Sequence, residues 1–308
     1  WELTAPNNYV DVLYDDEEKL YKMWYDIKVE VPHYHGTTGQ EGTVGYAVSE
    51  DGLHWKKPSL TAVTDTPTNL VFFGFGGKRF GAPYVIKDYS DTDPSRRYKM
   101  LFNFWDFRGR GLGYAWSPDG IHWEPHRFAV IHGGFDTQNI FFWDWRYGCW
   151  VAYTRLKAYG KRSIARATSP DLMHWSSPVL VEKPDELDSP NEQLYTPGCF
   201  LLSNARDVYI MVIGVHDVEK NIVTPQFGVS RDGIHWRRFR KPFIPLGPKG
   251  SWDAGGGRPV GREIPKGDEM LFYYRGVQES HGENPLSGVG VASIKRDRYV
   301  GLQARGEG

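Results

Sequence analysis

One short pattern recurs four times and constrains the chain more than any other feature. Ser49-Glu50-Asp51-Gly52-Leu53-His54-Trp55 returns as Ser117-Pro118-Asp119-Gly120-Ile121-His122-Trp123, as Ser169-Pro170-Asp171-Leu172-Met173-His174-Trp175 and as Ser230-Arg231-Asp232-Gly233-Ile234-His235-Trp236. The copies begin 68, 52 and 61 residues apart. A sequence period of this size is the mark of an architecture built from repeated supersecondary units. Asp-Gly is a strong hairpin turn, because Gly reaches positive φ cheaply and Asp bonds nearby backbone N–H groups. The motif is therefore read as structural, with its Trp packing between neighbouring units.

Each copy follows a short alternating strand: 44–48, 112–116, 164–168 and 226–229. A fifth such strand, 289–293, leads to Asp297 and Tyr299 without the His-Trp. Two further β-branched and aromatic runs precede each one, such as Tyr9-Val10-Asp11-Val12-Leu13-Tyr14 and Leu20-Tyr21-Lys22-Met23-Trp24-Tyr25 in the first unit. Gly, Asp and Pro bound these runs, as they bound strands. A strand after each His-Trp makes four per unit, and no segment holds a helical period. Five units of about 60 residues predict an all-β fold, a five-bladed β-propeller of four-stranded antiparallel blades. The whole chain, 1–308, is expected to form one domain, with blades near 1–70, 71–130, 131–185, 186–245 and 246–308.

Composition excludes several functions. Lys+Arg total 37 and Asp+Glu 38, a net charge of -1, which gives no electrostatic footprint for nucleic acid or anionic lipid. No apolar run reaches the length of a membrane span. Cys149 and Cys199 are the two cysteines, too few for a disulfide framework or a Cys-rich zinc site. The 12 Trp are a high share, suited to burial and to stacking on ligand rings. The chain begins at Trp1 and shows no signal peptide, which leaves the compartment undetermined; a bacterial periplasmic or secreted location is the favoured expectation.

In a propeller the first strand of each blade lines the central channel, so the residues opening those strands meet at one mouth. They are 7–11, 79–83, 135–139, 191–196 and 251–258. Three acids, Asp136, Glu192 and Asp253, open three different blades. Cleaving a glycosidic bond needs one carboxylic acid to protonate the leaving oxygen and a second, ionised carboxylate to attack or to activate water. Crowded carboxylates separate their pKa values, which keeps one protonated. Amides such as Asn8 and Gln138 suit sugar hydroxyls, and Tyr195 and Trp252 suit sugar rings. His281 follows the second strand of the fifth unit and is a candidate channel residue.

Other motifs fail. Gly74-Phe75-Gly76-Gly77-Lys78-Arg79 lacks the ending of a phosphate loop. The loop with Asp88, Asp91 and Asp93 lacks the calcium-loop Gly and Glu. His33 and His35 are read as a solvated loop rather than a metal pair. No metal site is predicted and no cofactor is expected; a channel-bound cation such as calcium is compatible with the fold, but nothing in the sequence indicates one.

The Ser-x-Asp-x-x-His-Trp pattern closing each third strand is similar to glycoside hydrolase families 32 and 43. Asp136-Thr137-Gln138-Asn139, Leu194-Tyr195-Thr196-Pro197 and Gly250-Ser251-Trp252-Asp253 resemble more closely the bacterial proteins described as like the family 32 N-terminal domain. The resemblance covers nearly the whole chain. It implies an exo-acting glycosidase in which Glu192 is the general acid and Asp136 steadies the transition state. The family's blade-one Asp-Pro is absent; Asn7-Asn8-Tyr9 stands there, so either Asp11 or Asp253 takes the remaining role, or the site works differently. A family 32 enzyme carries a C-terminal β-sandwich, which this chain is expected to lack. Two alternatives stay open. One is a non-catalytic carbohydrate-binding propeller. The other resembles the family 130 phosphorylases and would hold phosphate on Arg79, Arg155, Arg258 and Arg275. The expected partner is a carbohydrate, with no nucleic acid and no membrane; the oligomeric state is open.

Overall fold

The structure is a computed structural model that describes residues 9–31, 39–73, 80–280 and 287–300. It is all-β, and no helix among the described residues is long and apolar enough to cross a membrane. The first sheet joins β1 (Val10–Asp15), β2 (Leu20–Val31), β3 (Gly39–Ser49) and β4 (Leu70–Phe73) in chain order. The second joins β5 (Gly81–Lys87), β6 (Tyr98–Asp106), β7 (Gly109–Ser117) and β8 (Glu124–Pro125), with β9 (Ile131–His132) also on β7. The third joins β10 (Ile140–Asp144), β11 (Cys149–Ala158), β12 (Lys161–Ser169) and β13 (Val179–Glu182). A larger sheet begins with a fourth antiparallel meander, β14 (Glu192–Leu201), β15 (Tyr209–Asp217), β16 (Ile222–Ser230) and β17 (Trp236–Pro242). One parallel bridge, Val223 to Gly256, attaches β18 (Gly256–Pro259) to it. There β18 and β19 (Ile264–Lys266) both pair with β20 (Glu269–Val277), which pairs in turn with β21 (Ser287–Lys295). The innermost strand of this last unit is thus interrupted, where the sequence predicts one strand.

Meanders of this kind stacked side by side make a propeller. First strands lie against one another in succession, β1 on β5, β5 on β10, β10 on β14 and β14 on β18, and β20 returns to β1. Gln138 shows how tightly they converge: its Nε2 donates to Val10 O at 2.9 Å and to Pro83 O at 2.8 Å. Apolar clusters fill the spaces between sheets; one packs Trp24, Tyr46, Phe72 and Phe80 of the first two sheets against Phe102 and Met100.

The repeated motif forms the same hydrogen-bonded turn four times. In the second copy Ser117 Oγ accepts from Gly120 N–H at 2.9 Å, and Asp119 Oδ1 accepts from the N–H groups of Ile121 and His122. Asp119 Oδ2 lies 2.7 Å from His122 Nδ1, the distance found in all four copies. The fourth motif residue is left-handed each time: Gly52 at φ +78°, Gly120 at +80°, Leu172 at +68° and Gly233 at +72°.

That residue's carbonyl latches one sheet to the next. Trp24 Nε1 of β2 donates to Gly120 O at 2.8 Å, and Tyr153 OH of β11 donates to Gly233 O at 2.7 Å. Tyr273 OH of β20 donates to Gly52 O at 2.8 Å, joining the last unit to the first across 221 residues of chain. Between the second and third sheets the latch is apolar. Leu101 stands where the others have Trp24 and Tyr153, Leu172 replaces the glycine, and both lie in one buried cluster. The volume lost from the aromatic returns through the extra side chain, which offsets the strain of a left-handed Leu.

Gly120→Ala should test the latch. A Cβ there would sit 2.8 Å from the Trp24 ring at a left-handed φ, so strain and overpacking together should destabilise by about 2–4 kcal/mol in urea denaturation. Gly148→Ala is the control, since φ is +61° with nothing within 4 Å; it should cost only the conformational part, about 1 kcal/mol. Tyr273→Phe, which strands the Gly52 carbonyl, should destabilise by about 1–2 kcal/mol. Equal losses for the two glycine variants would refute the latch.

Candidate active site

Side chains alternate along a strand, so the residue two beyond each latch position shares its face one step nearer the channel mouth. Those residues are Asp26 on β2, Asn103 on β6, Arg155 on β11 and Arg275 on β20, and Gly214 holds the matching place on β15. Each faces the opening of its neighbouring first strand. Asp26 N–H donates to Tyr9 O at 3.0 Å. Asn103 is registered with Gly81, Gly214 with Thr196 and Arg275 with Arg258. Arg155 N–H donates to Asn139 Oδ1 at 3.3 Å.

Hydroxyl groups close the floor of this mouth. Tyr9 Oη lies 3.4 Å from both Thr137 Oγ1 and Tyr195 Oη, and Thr137 Oγ1 lies 3.2 Å from Thr196 Oγ1. Arginines stand over the rings: Arg258 at 5.5 Å from Tyr9 and 5.6 Å from Tyr195, Arg155 at 5.0 Å and Arg162 at 5.3 Å from Tyr195. His216 meets the Tyr195 ring edge-on at 5.6 Å. Asp26 is buried and accepts two backbone N–H groups, from Tyr9 at 2.9 Å and from Ala82 at 3.4 Å. Ala82 reaches Asp26 with φ at +54°, backbone strain of a kind that gathers at functional sites. Beside the mouth, a cleft of about 540 Å³ is lined by Arg110, His132, Asp136, Arg155, Lys157 and Arg162 among others.

Arginine charge acts on several groups of this mouth. Burial, with the Arg258 charge adding, pushes Arg275 down to about 10. Burial also lowers His216, and Arg162 and Arg258 act in the same direction. Burial, helped by the neighbouring Tyr195, lifts the Tyr9 phenol well above its usual range.

Each carboxylate expected at the mouth has its own set of partners. Asp136 lines the cleft, its side chain 71% exposed and 3.4 Å from Arg155 Nη2. Glu192 opens β14 opposite Asp217, and its carboxylate turns back to accept the Ser189 N–H at 3.0 Å. Asp253 is buried, accepting from Ser251 Oγ at 2.8 Å and Tyr274 OH at 2.9 Å. Tyr274 adjoins Arg275 on β20 and so points to the opposite face of the sheet, which takes Asp253 with it. Asp11 lies two residues along β1 from Tyr9, wholly buried, accepting from Arg262 at 2.9 Å and Val85 N–H at 2.6 Å.

Of the expected binding residues, Tyr195, Arg155 and Arg275 are at the mouth, with Arg258. Gln138 spends its amide on the backbone carbonyls of two first strands. Trp252 stacks on Tyr274 at 5.6 Å, over glycines that leave room for it; a Cβ at Gly276 would lie 2.3 Å from its ring. Asn8, His281, Arg79, His33 and His35 lie outside the described residues. Sequence reasoning missed Asp26, Arg162 and His216. Comparing the position two beyond Trp24, Tyr153 and Tyr273 would have found Asp26 beside Arg155 and Arg275.

No protein-family model matches the chain, and neither does any curated protein. Solved structures do match in fold. An endo-arabinase from Bacteroides thetaiotaomicron aligns with a TM-score of 0.64 at 14% identity, over 96% of each chain. A structure from work on mannoside phosphorylases of family GH130, a family reported to contain glycoside hydrolases targeting β-1,2-mannosidic linkages in Candida mannan, aligns with a TM-score of 0.66 at 15% identity, over 99% of this chain and 88% of that one. An N-acetylgalactosamine deacetylase from F. plautii, in complex with blood group B trisaccharide, aligns with a TM-score of 0.64 at 13% identity, over 95% and 90%. The chain therefore shares the fold of carbohydrate-active propeller enzymes.

Asp11 makes a testable pH dependence. Burial pushes its carboxyl up to about 6 against the pull of Arg262, from an unfolded value of 3.8. Between those values the folded chain keeps a proton that the unfolded chain has released, so stability from this group falls as pH rises. Asp11→Asn should remove that dependence. The stability difference between wild type and variant should shift by about 2 kcal/mol between pH about 4 and about 7 in urea denaturation. A difference constant across that window would show Asp11 ionised throughout.

Proposed function

We propose that the chain is a glycosidase, built as one domain of five propeller blades, that takes the end of a saccharide into the channel mouth. The observation that carries this reading is the mouth itself. At the common end of the first strands, Asp26 and the cleft-lining Asp136 flank a floor of two tyrosines and two threonines, in a fold shared with enzymes described as glycoside hydrolases. Tyr9 and Tyr195 offer faces for a sugar ring and Asn103 an amide near it. The bridged hydroxyls close the channel below them, which suits an exo mode of attack.

Glycosidic cleavage takes a carboxylate that stays ionised and an acid that delivers a proton to the leaving oxygen. Asp26, held by two N–H donors beside Arg275, is built to carry negative charge and so to face an oxocarbenium-like transition state. Asp136 stands at the solvent side, where the leaving group departs. Glu192 is kept as a candidate acid on its place at the start of β14.

Two variants test this on oligosaccharides and on aryl glycosides whose leaving group needs no proton. Asp26→Asn should lower kcat about 10²-fold or more on both substrate types. Whichever of Asp136→Asn and Glu192→Gln removes the acid should lose natural substrates and spare the activated ones. Unchanged turnover in all three would sink the reading. Binding without turnover across a broad panel would assign the chain to carbohydrate capture instead.

A further inference from the structure

The innermost strand of the last unit breaks after Pro259 and resumes at Ile264, and the residues between meet all four other innermost strands. Arg262 Nη2 donates to Asp11 Oδ2 on β1 at 2.9 Å and to Val85 O on β5. Tyr84 OH of β5 donates to Gly261 O at 3.1 Å. A Cβ at Gly261 would lie 2.5 Å from Ile140 on β10, and one at Gly198 on β14 would lie 3.4 Å from the Gly261 Cα. Residues 260–263 therefore plug the ring between the mouth and its far end. Beyond the plug, where β5, β10 and β14 end, lies a cleft of about 650 Å³, a volume within the usual range of ligand pockets. One wall is the turn from β10 to β11, with Trp143 41% and Trp145 57% exposed. The facing wall is the turn from β14 to β15, which brings Ser203, Asn204 and Arg206. That turn is pinned: Ser203 N–H and Oγ donate to Glu263 Oε1 at 3.1 and 2.9 Å, Tyr299 OH donates to Glu263 Oε2, and Asn204 Nδ2 donates to Asp297. The charges balance, Arg206 and Arg262 standing with Glu263 and the Asp11 that Arg262 holds.

We propose that this cleft is a second saccharide-binding site, on the end of the ring opposite the mouth, and that it takes a neutral stretch of glycan. A lone exposed apolar side chain is ordinary, whereas neighbouring aromatic faces in a concave, polar-rimmed site mark ligand binding. Each indole offers a broad apolar face and one N–H, which suits a sugar ring lying against it. The hydroxyl, amide and guanidinium groups of the facing turn supply hydrogen bonds to the ring's hydroxyls. Balanced charge favours a neutral ligand over an ion. The pinned turn is ordered before the ligand arrives, so little is lost in ordering it. The saccharide class rests on the glycosidase reading; the site's geometry does not. Such a site holds a polymer against the protein and takes no part in cleavage.

The probes are the neutral hexasaccharides of β-1,4-xylan, β-1,4-glucan, β-1,4-mannan and α-1,5-arabinan, with calorimetry and tryptophan fluorescence on the whole chain. At least one should bind at a site whose affinity falls about tenfold or more in Trp145→Ala and stays unchanged in Asp26→Asn. That affinity should hold steady as salt rises, as expected of a ligand without charge. Trp145 is more than half exposed, so Trp145→Ala should keep the wild-type melting temperature, and Trp145→Phe should recover part of the binding. Trp143→Ala repeats the test on the neighbouring ring. Hexasaccharide binding that ignores both tryptophans, or none at all, overturns the proposal, and so does tryptophan-dependent binding that salt abolishes. A dimer in sedimentation that Trp145→Ala dissolves gives the face to a second copy of the chain and overturns it as well. Tryptophan-dependent binding with no turnover of any glycoside would remove the glycosidase reading and leave this one standing; turnover without tryptophan-dependent binding would do the reverse.

Discussion

The hydrogen bond from an aromatic side chain to the carbonyl of a left-handed motif residue is the contact on which the ring depends. A single sheet of this chain hides one face at most, and its second face must find the next sheet. The Ser-Asp turn holds the Gly120 carbonyl at a fixed height, and Trp24 reaches it from the neighbouring sheet. Tyr273 and Gly52 repeat the contact between the two ends of the chain. Burial of the rings supplies most of the energy, at roughly 25 cal/mol per Å² of apolar surface. The hydrogen bond adds direction, because a buried donor or carbonyl without its partner is penalised. The apolar version at Leu101 and Leu172 shows that the joint tolerates a change of chemistry as long as its volume is filled.

The same strand geometry links scaffold to site. A side chain two residues from a latch donor must emerge on the same face, and the latch orients that face toward the channel. Asp26, Arg155 and Arg275 owe their placement to Trp24, Tyr153 and Tyr273. Charged groups are held in the mouth by strands whose other residues lie deep in apolar clusters, so the scaffold carries the cost of keeping them out of water. Ala82 shows a smaller cost of the same kind, accepting a left-handed conformation while its N–H faces Asp26.

Much of the fold is legible in the residues. The four motifs appear as four identical turns, and the strands read from alternation appear as β1, β2, β6, β11, β15 and β20 within a few residues. The interruption between β18 and β19 escaped, because Pro259-Val260-Gly261 reads locally like a continuous run. The site was legible in part. Tyr195, Arg155 and Arg275 were singled out and meet at the mouth. Glu192 opens β14 and Asp253 lies in the turn before β18, yet one caps its own turn at Ser189 and the other binds Tyr274 behind β20.

Period, turn chemistry and alternation are local properties, set by the φ preferences of Gly and the two-residue repeat of a strand, and the sequence by itself determined them: a ring of antiparallel sheets joined through a repeated Asp-Gly turn. Where a polar side chain ends up is not local. A carboxylate bonds whichever donor lies nearest once the sheets have closed, and for Glu192, Asp253 and Asp11 that donor is a turn N–H, a tyrosine and an arginine. Only the tertiary structure decided that the mouth would hold Asp26 and a group of buried arginines, because those residues lie far apart in the chain and meet when the last unit closes on the first.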